Sequence, residues 1–515
     1  MTGHLEQMPF LFIFTKNSMS TYVIGVDIGT GSTKAVAVNP AGKAVSTALI
    51  HYPTLHPTEG HCEQDPEVVW QAFVSGISKI TSELKTSPEA IIFSSAMHSV
   101  IPVTTSGEAL MPMIIWADNR SSEIATRIKQ SSMGELLYEQ NGTPIHAMSP
   151  LCKIIWLREN RRSVFEKTHK FISIKEYLWF RLFHDFEVDH SIASATGMMN
   201  IESSTWNTNA LNLAEIEEQK LSRLVPTNHM RSNADFKTCS KLGIGQKTIF
   251  IIGASDGCFA NLGSFATAPG VAALTIGTSG AVRVASKKPV FNFQAMTFNY
   301  RLNSETFICG GPSNNGGVAL KWYVENFLGK TLQTASDYDA ILKSLNDSKP
   351  GASGLIFLPY LFGERAPLWN SDATACFFGI RGQHTQADFT RAVIEGISMA
   401  LYDIADSMMN AGLTIDRIHV SGGFVRSTPW LKIIANIFNK KICLLNTDDA
   451  SALGAAYLGL KTLEMIDDYS SIQTTMQEIN PEPNINTIYQ KSFQYYRKLN
   501  HQLHFQSIQN NLLTP

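Results

Sequence analysis

Short, fully apolar runs alternate along this chain with longer stretches whose apolar positions recur every three or four residues, the pattern of strands taking turns with helices. The first run, Val23-Ile24-Gly25-Val26, ends in Asp27 and Ile28. It then passes through Gly29-Thr30-Gly31-Ser32-Thr33-Lys34 into Ala35-Val36, which predicts a β-hairpin with a glycine- and hydroxyl-rich turn. Residues 43–51 read as a third strand. Asp65-Pro66-Glu67 supplies an N-cap, a first-turn proline and an early acid for a helix whose apolar face is Val68, Val69, Phe73 and Ile77. Apolar strands at 90–94, 113–116 and 249–252 each run into polar residues: Ser95-Ala96-Met97-His98-Ser99, Ala117-Asp118-Asn119-Arg120 and Ser255-Asp256-Gly257. Ligands of α/β sheets bind at such carboxyl ends of strands.

A second, related hairpin spans 271–284, with Ile276-Gly277-Thr278-Ser279-Gly280 at its turn. The strand at 418–420 meets Ser421-Gly422-Gly423 and leads to a helix from Thr428 or Pro429, whose N-terminus suits phosphate or adenosine atoms. Residues 489–505 carry aromatic residues and leucine at helical spacing and predict a docking helix. Small residues and the Pro269-Gly270 pair break the pattern at 265–270. The prediction is therefore an α/β chain with domains at 21–265 and 266–500, an extension at 1–20 expected to be disordered, and a tail at 501–515. Two domains of related topology facing one nucleotide resemble the actin, Hsp70 and sugar-kinase superfold, with its actin-like, ribonuclease H-like domains.

Composition narrows the function. At 515 residues with 44% hydrophobic and 17% charged positions, the chain has enough apolar residues for two large interiors. A net charge of −2 with no long basic run argues against nucleic acid and anionic membranes as partners, while a homodimer is compatible with it. Seven cysteines stand singly, without a CxxC pair, and read as reduced thiols in a cytoplasmic protein. The apolar run at 9–14 lacks a basic region before it and a cleavage pattern after it, so Met19 is expected to be the natural start.

The first turn suits an anion. Gly29 and Gly31 are expected to take positive φ and let the backbone approach a phosphate, with Thr30 and Ser32 offering hydroxyls and Lys34 charge. Asp27 cannot attract phosphate itself and is the candidate ligand for a hydrated Mg²⁺. Asp256 stands after a fully apolar strand, a costly place for a carboxylate without a function or partner.

Two internal motifs, Met148-Ser149-Pro150-Leu151-Cys152-Lys153-Ile154-Ile155-Trp156 and Ala375-Cys376-Phe377-Phe378-Gly379-Ile380 continuing through Asp388 to Glu395, lie in order between and beyond the hairpins. With them the chain, from about 21 to about 500, resembles the FGGY family of carbohydrate kinases. The resemblance implies ATP and Mg²⁺ as cofactors and Asp256 as the base that takes the proton of a sugar hydroxyl. It implies Asp27 acting through the metal, Gly29, Thr30, Gly31, Ser32 and Lys34 beside the phosphates, and Gly277, Thr278, Gly317, Lys321, Gly423 and Ser427 around the nucleotide.

For the sugar, the resemblance points to Met97 and His98, and the loops at Asp118-Asn119-Arg120 and Glu364-Arg365 look most like those of family members acting on gluconate. Members acting on xylulose are near neighbours, and the glycerol branch carries an Arg-Glu pair where this chain has Met97-His98. A carboxylate substrate needs cations, for which Arg120, Arg365 and His98 are the candidates. Arg120 and Arg365 would otherwise pair with Asp118 and Glu364 to hold loops together. The same superfold also serves ATP-driven chaperones, filament subunits and sugar sensors, against which the intact Ser255-Asp256-Gly257 turn argues.

Overall fold

The computed structural model describes residues 21–332, 334–445, 449–472 and 476–505, so the extension at 1–20 and the tail beyond 505 lie outside the described residues. The first apolar run forms β1 (Val23–Ile28), buried on both faces, and Gly29 N–H donates to Ser32 O at 2.9 Å to turn the chain into β2 (Ser32–Val38). β2 pairs antiparallel with β3 (Ala44–His51). Asp65 accepts from Glu67 N at 2.8 Å and starts α1 (Pro66–Leu84), which buries Val69, Trp70, Phe73, Ile77 and Ile80 along one stripe. β4 (Ala90–Ser95) lies parallel to β1. The expected strand at 113–116 is only Met113–Ile114, because Ile115 and Trp116 turn away to make other contacts.

After α2 (Pro150–Asn160) and α3 (Ile174–Phe183), β5 (Met230–Arg231) and β6 (Ile249–Ser255) complete a sheet of order β5-β6-β4-β1-β2-β3. α4 (Asp256–Gly263) follows β6 without a gap. The second sheet takes β7 (Gly270–Ile276), β8 (Gly280–Ser286), β9 (Phe298–Arg301), β10 (Phe307–Ser313), β11 (Ile415–Ser421), β12 (Lys441–Leu445) and β13 (Met476–Ile479), in the order β9-β10-β8-β7-β11-β12-β13. Its helices are α5 (Gly317–Trp322), α6 (Gln386–Asn410), α7 (Thr428–Phe438), α8 (Ala450–Thr462) and α9 (Pro483–Asn500).

The two sheets repeat one topology. From β3 to β5 the pairings run antiparallel, antiparallel, parallel, parallel, antiparallel, and from β10 to β13 they run the same way. The helices that follow the outer parallel strands, α4 and α8, pack against each other, and α8 also lies on β1 and β4. Such close packing requires glycine. A Cβ on Gly263 would stand 1.9 Å from Ala450 O, and one on Gly454 would stand 2.1 Å from Phe259 O. Thus α8, late in the sequence, is built onto the first sheet.

α9 is the predicted docking helix. Tyr489, Phe493, Tyr496 and Asn500 are its buried stripe, and Tyr496 Oη lies 2.6 Å from Tyr360 Oη.

Candidate active site

Both hairpin turns are open to an incoming group. Among the described residues no heavy atom lies within 4 Å of where a Cβ would stand on Gly31 or Gly277. Neither residue, nor Gly29, takes the left-handed backbone expected of Gly29 and Gly31; the openness in front of Gly31, not its φ, is what admits a ligand. Gly317 N–H donates to Gly277 O at 2.7 Å and Val318 N–H to Thr278 O at 3.1 Å, lacing the start of α5 to the second turn. Thr30 Oγ1 accepts from Trp116 Nε1 at 2.7 Å, and Ser32 closes the first turn.

Several expected nucleotide contacts are engaged elsewhere. Lys34 Nζ is ion-paired with Asp449 at the start of α8, because that carboxylate is the close opposite charge. Ser427 is the N-cap of α7 and accepts from Trp430 N at 3.3 Å, so its hydroxyl is already used by the helix. Lys321 is exposed and sits 3.7 Å from Glu325, one helical turn on. Gly423 is exposed with free space around it. The neighbouring Gly422 is the residue the backbone demands, with φ of 106° and a Cβ position 2.3 Å from Ile276 O.

Asp27 and Asp256 face the same space from the ends of β1 and β6. Asp27 Oδ1 accepts from Ser94 Oγ at 2.8 Å. Burial, then the charge of Asp256, push its carboxyl up to about 7, against the pull of that hydroxyl. Asp256 is the first residue of α4, with Ser255 as the cap, and its Oδ1 accepts from Gly257 N at 2.6 Å. It is thus not the residue that caps the helix. Burial raises its carboxyl, opposed chiefly by Arg283 and further by the Gly257 N–H and Lys175. Lys175 lies beneath it, fully buried, donating to Asp189 Oδ2 and Ala254 O at 2.8 Å each. Among the described residues no three His, Cys, Asp or Glu side chains converge on a metal position. A single carboxylate beside an open turn fits an ion such as Mg²⁺, which is held by one or two carboxylates and keeps most of its waters.

The sugar-side candidates divide. Arg120 is spent: it donates to Asp118 at 2.8 Å and Glu63 at 2.7 Å and lies over the Trp156 ring, while buried Asp118 also accepts from Cys62 N at 2.6 Å. These two residues hold loops together. His98 is buried, with Nδ1–H donating to Ala195 O at 2.9 Å and Nε2 accepting from Tyr300 Oη at 3.2 Å. Burial drives its pKa down to about 3, so it is neutral and cannot serve as the expected cation. The Arg365 guanidinium does not pair with Glu364, whose carboxylate accepts from Ser313 Oγ, Asn314 N, Asn315 Nδ2 and the Arg365 backbone N–H instead. Its guanidinium donates to Asn314 Oδ1 at 2.8 Å and Ser313 O at 3.2 Å, stands over the Trp116 ring, and stays charged at neutral pH with a pKa lowered by burial to about 10. Met97 adjoins Gly257, its Cε 3.4 Å from where a Gly257 Cβ would lie.

Two domain matches decide the family. Residues 22–263 match the N-terminal domain of the FGGY family of carbohydrate kinases and residues 272–463 match its C-terminal domain. The chain belongs to this family. It is a carbohydrate kinase of the two-domain, actin-like α/β class. It is 40% identical over 466 residues to the gluconokinase of Bacillus subtilis, covering 88% of this chain and 90% of the relative. It is 28% identical over 487 residues to the xylulose kinase of Staphylococcus xylosus, covering 93% and 99%. Its structure matches the ligand-bound xylulose kinase of Lactobacillus acidophilus with a TM-score of 0.90, and the gluconate kinase of the same species with 0.89. Both are 33% identical and cover 94% of this chain and 98% of theirs. The backbone therefore does not separate the two sugars.

In this kinase the family motifs are scaffold. Lys153 Nζ, wholly buried, donates to His98 O at 2.6 Å and Ile115 O at 2.8 Å, tying two strand-end segments together, and burial brings its pKa down to about 7. Asp388 forms a capping box with Thr385 and accepts from Ser348 at 2.7 Å, while Glu395 accepts from Tyr489 Oη at 2.8 Å. Sequence reasoning missed Arg283, Lys175, Tyr300 and Asp449. Only Arg283 carried a signal, a charge in an otherwise apolar strand.

Proposed function

We propose that this kinase transfers the γ-phosphoryl group of ATP to the terminal hydroxyl of D-gluconate, giving ADP and 6-phospho-D-gluconate. Asp256 is the general base. Its Oδ1 is held by the helix N-terminus, which favours the ionised form, and its other oxygen has no protein hydrogen bond among the described residues, leaving it free to accept the hydroxyl proton. The turns at Gly29-Thr30-Gly31 and Gly277-Thr278 lie along the phosphates, with Asp27 holding the waters of Mg²⁺. When bound, that ion neutralises charge on the phosphate oxygens. Closure of the two halves then excludes water, so that the sugar rather than solvent is phosphorylated.

The observation that carries gluconate over xylulose is the sugar end of the cleft. Arg283 and Arg365 are both partly buried beside Asp256, Tyr300 and Glu364, without a carboxylate ion pair among the described residues. A neutral ketose leaves both guanidinium groups without a carboxylate in direct contact, whereas a sugar acid can supply one. The free cysteines and the lack of a helix long and apolar enough to cross a membrane, among the described residues, accord with a cytoplasmic setting.

The test is ATP-dependent phosphorylation of gluconate, xylulose, glycerol and ribulose, with Asp256→Ala as control. Gluconate is expected to lead the panel. Strong turnover of xylulose with none of gluconate overturns the substrate, and full activity in the Asp256 variant overturns the mechanism.

A further inference from the structure

Each candidate cation of the sugar pocket can be checked for donors not already used by the protein. Arg120 is fully committed to Asp118 and Glu63, Lys153 to two backbone carbonyls, and His98 is neutral with both nitrogens engaged. Arg365 has spent Nε and one terminal nitrogen on Asn314 and Ser313. Arg283 differs. Its Nη1 is buried and has no hydrogen-bond partner among the described residues. A buried charged donor left unpaired is costly, and a ligand that completes it is one way such a group is kept.

Its position fits a ligand next to the reacting group. Arg283 projects from β8, where it is paired with Ala273 and Gly310 on the neighbouring strands. Its Nε lies 3.3 Å from where a Cβ on Gly257 would stand, the residue after Asp256, and Met97 Cε approaches the same point. It feels the charge of Asp256 but forms no ion pair with it among the described residues. Tyr300, which fixes the His98 ring, is also within electrostatic reach.

We infer that Arg283 is the specificity-determining residue that binds the carboxylate of the sugar acid, its unpaired Nη1 completing a charge-assisted hydrogen bond that a neutral sugar cannot supply. This rests on the proposed gluconate reading and names the group that carries it. Arg283 belongs to the second half of the molecule, while Met97 and Asp256 belong to the first. A substrate carboxylate held there bridges the halves, coupling closure to an anionic sugar.

The experiment compares D-gluconate with D-glucitol, which replaces the carboxylate by a neutral hydroxymethyl group, using the full chain with Mg·ATP. The ratio of kcat/KM for gluconate over glucitol is expected to fall about 10- to 100-fold in Arg283→Gln, the range of a hydrogen bond to a charged group. Arg283→Lys, which keeps the charge and loses the planar fork, should fall between the two. Thermal melts establish that each variant is folded, and should the Gln variant unfold, the Lys variant gives the reading. A wild-type preference that survives in both variants overturns this inference alone, as does an equal loss on both substrates, which would assign Arg283 to Asp256 instead. A wild type with no preference for gluconate overturns the gluconate reading and this inference together.

Discussion

The two halves of the molecule share one topology and differ at one register position. Asp27 stands one residue before the end of β1 and is paired across to Ser94. Thr275 stands one residue before the end of β7 and is paired across to Ser421. Both pairs are hydrogen-bonded, at 2.8 Å and 3.1 Å. One half thus carries a buried carboxylate where the other carries a neutral hydroxyl. The same asymmetry recurs at α4 and α8: Asp256 begins one with an oxygen left for a ligand, whereas Asp449, before the other, is neutralised by Lys34. Duplicated architecture supplied two equivalent sets of positions, and charge distinguishes the half with carboxylates at Asp27 and Asp256 from the half with Thr275 and an ion-paired Asp449.

The largest test of that asymmetry is at Asp256. Asp256→Asn is expected to lower kcat about 1,000-fold with little change in KM, the loss of a general base, as measured by steady-state kinetics. Making the first half resemble the second, Asp27→Thr, should lower kcat about 100-fold and weaken the dependence of rate on Mg²⁺ concentration. The helix crossing that joins the halves is broken by Gly454→Ala, which drives a methyl into Phe259 O and should cost about 1–3 kcal/mol in denaturant unfolding.

Acid sharpens the contact between His98 of the first half and Tyr300 of the second. The folded pKa of His98 is depressed to about 3, below that of the unfolded chain, so protons bind the unfolded state preferentially in between. Its contribution is complete above about pH 6.5 and lost as pH falls. By pH 5 the loss relative to neutral pH amounts to about 2 kcal/mol. His98→Asn, which tolerates the left-handed backbone there (φ 68°), should flatten the fall in melting temperature between pH 7 and 5. The smallest effect is expected from Asp449→Asn. Freeing Lys34 should change kcat by less than about 10-fold, since the pair is partly exposed.

Much of the scaffold was legible because its signals are local. The Asp65-Pro66 start of α1, both hairpins and the stripe on α9 depend on neighbours within a few residues. The site was legible in part. Asp27 and Asp256 stood out as acids against apolar strands, whereas the sequence left Arg120 open between a ligand and Asp118 and could not show that His98, Ser427 and Lys34 already touch Tyr300, the α7 backbone and Asp449. Those partners lie from 2 to 415 residues away in the chain. Residue type tells what a side chain can bind, and only its surroundings tell whether that capacity is already used.

By itself the sequence determined two related α/β halves, two glycine- and hydroxyl-rich turns and two carboxylates at strand ends, since strand and helix periodicity and turn chemistry are short-range properties. Only the tertiary structure decided that α8 crosses onto the first sheet, that most candidate cations are spent, and that Arg283 is left with a buried donor unpaired. Burial and charge pairing are sums over residues that the fold, not the chain order, makes neighbours.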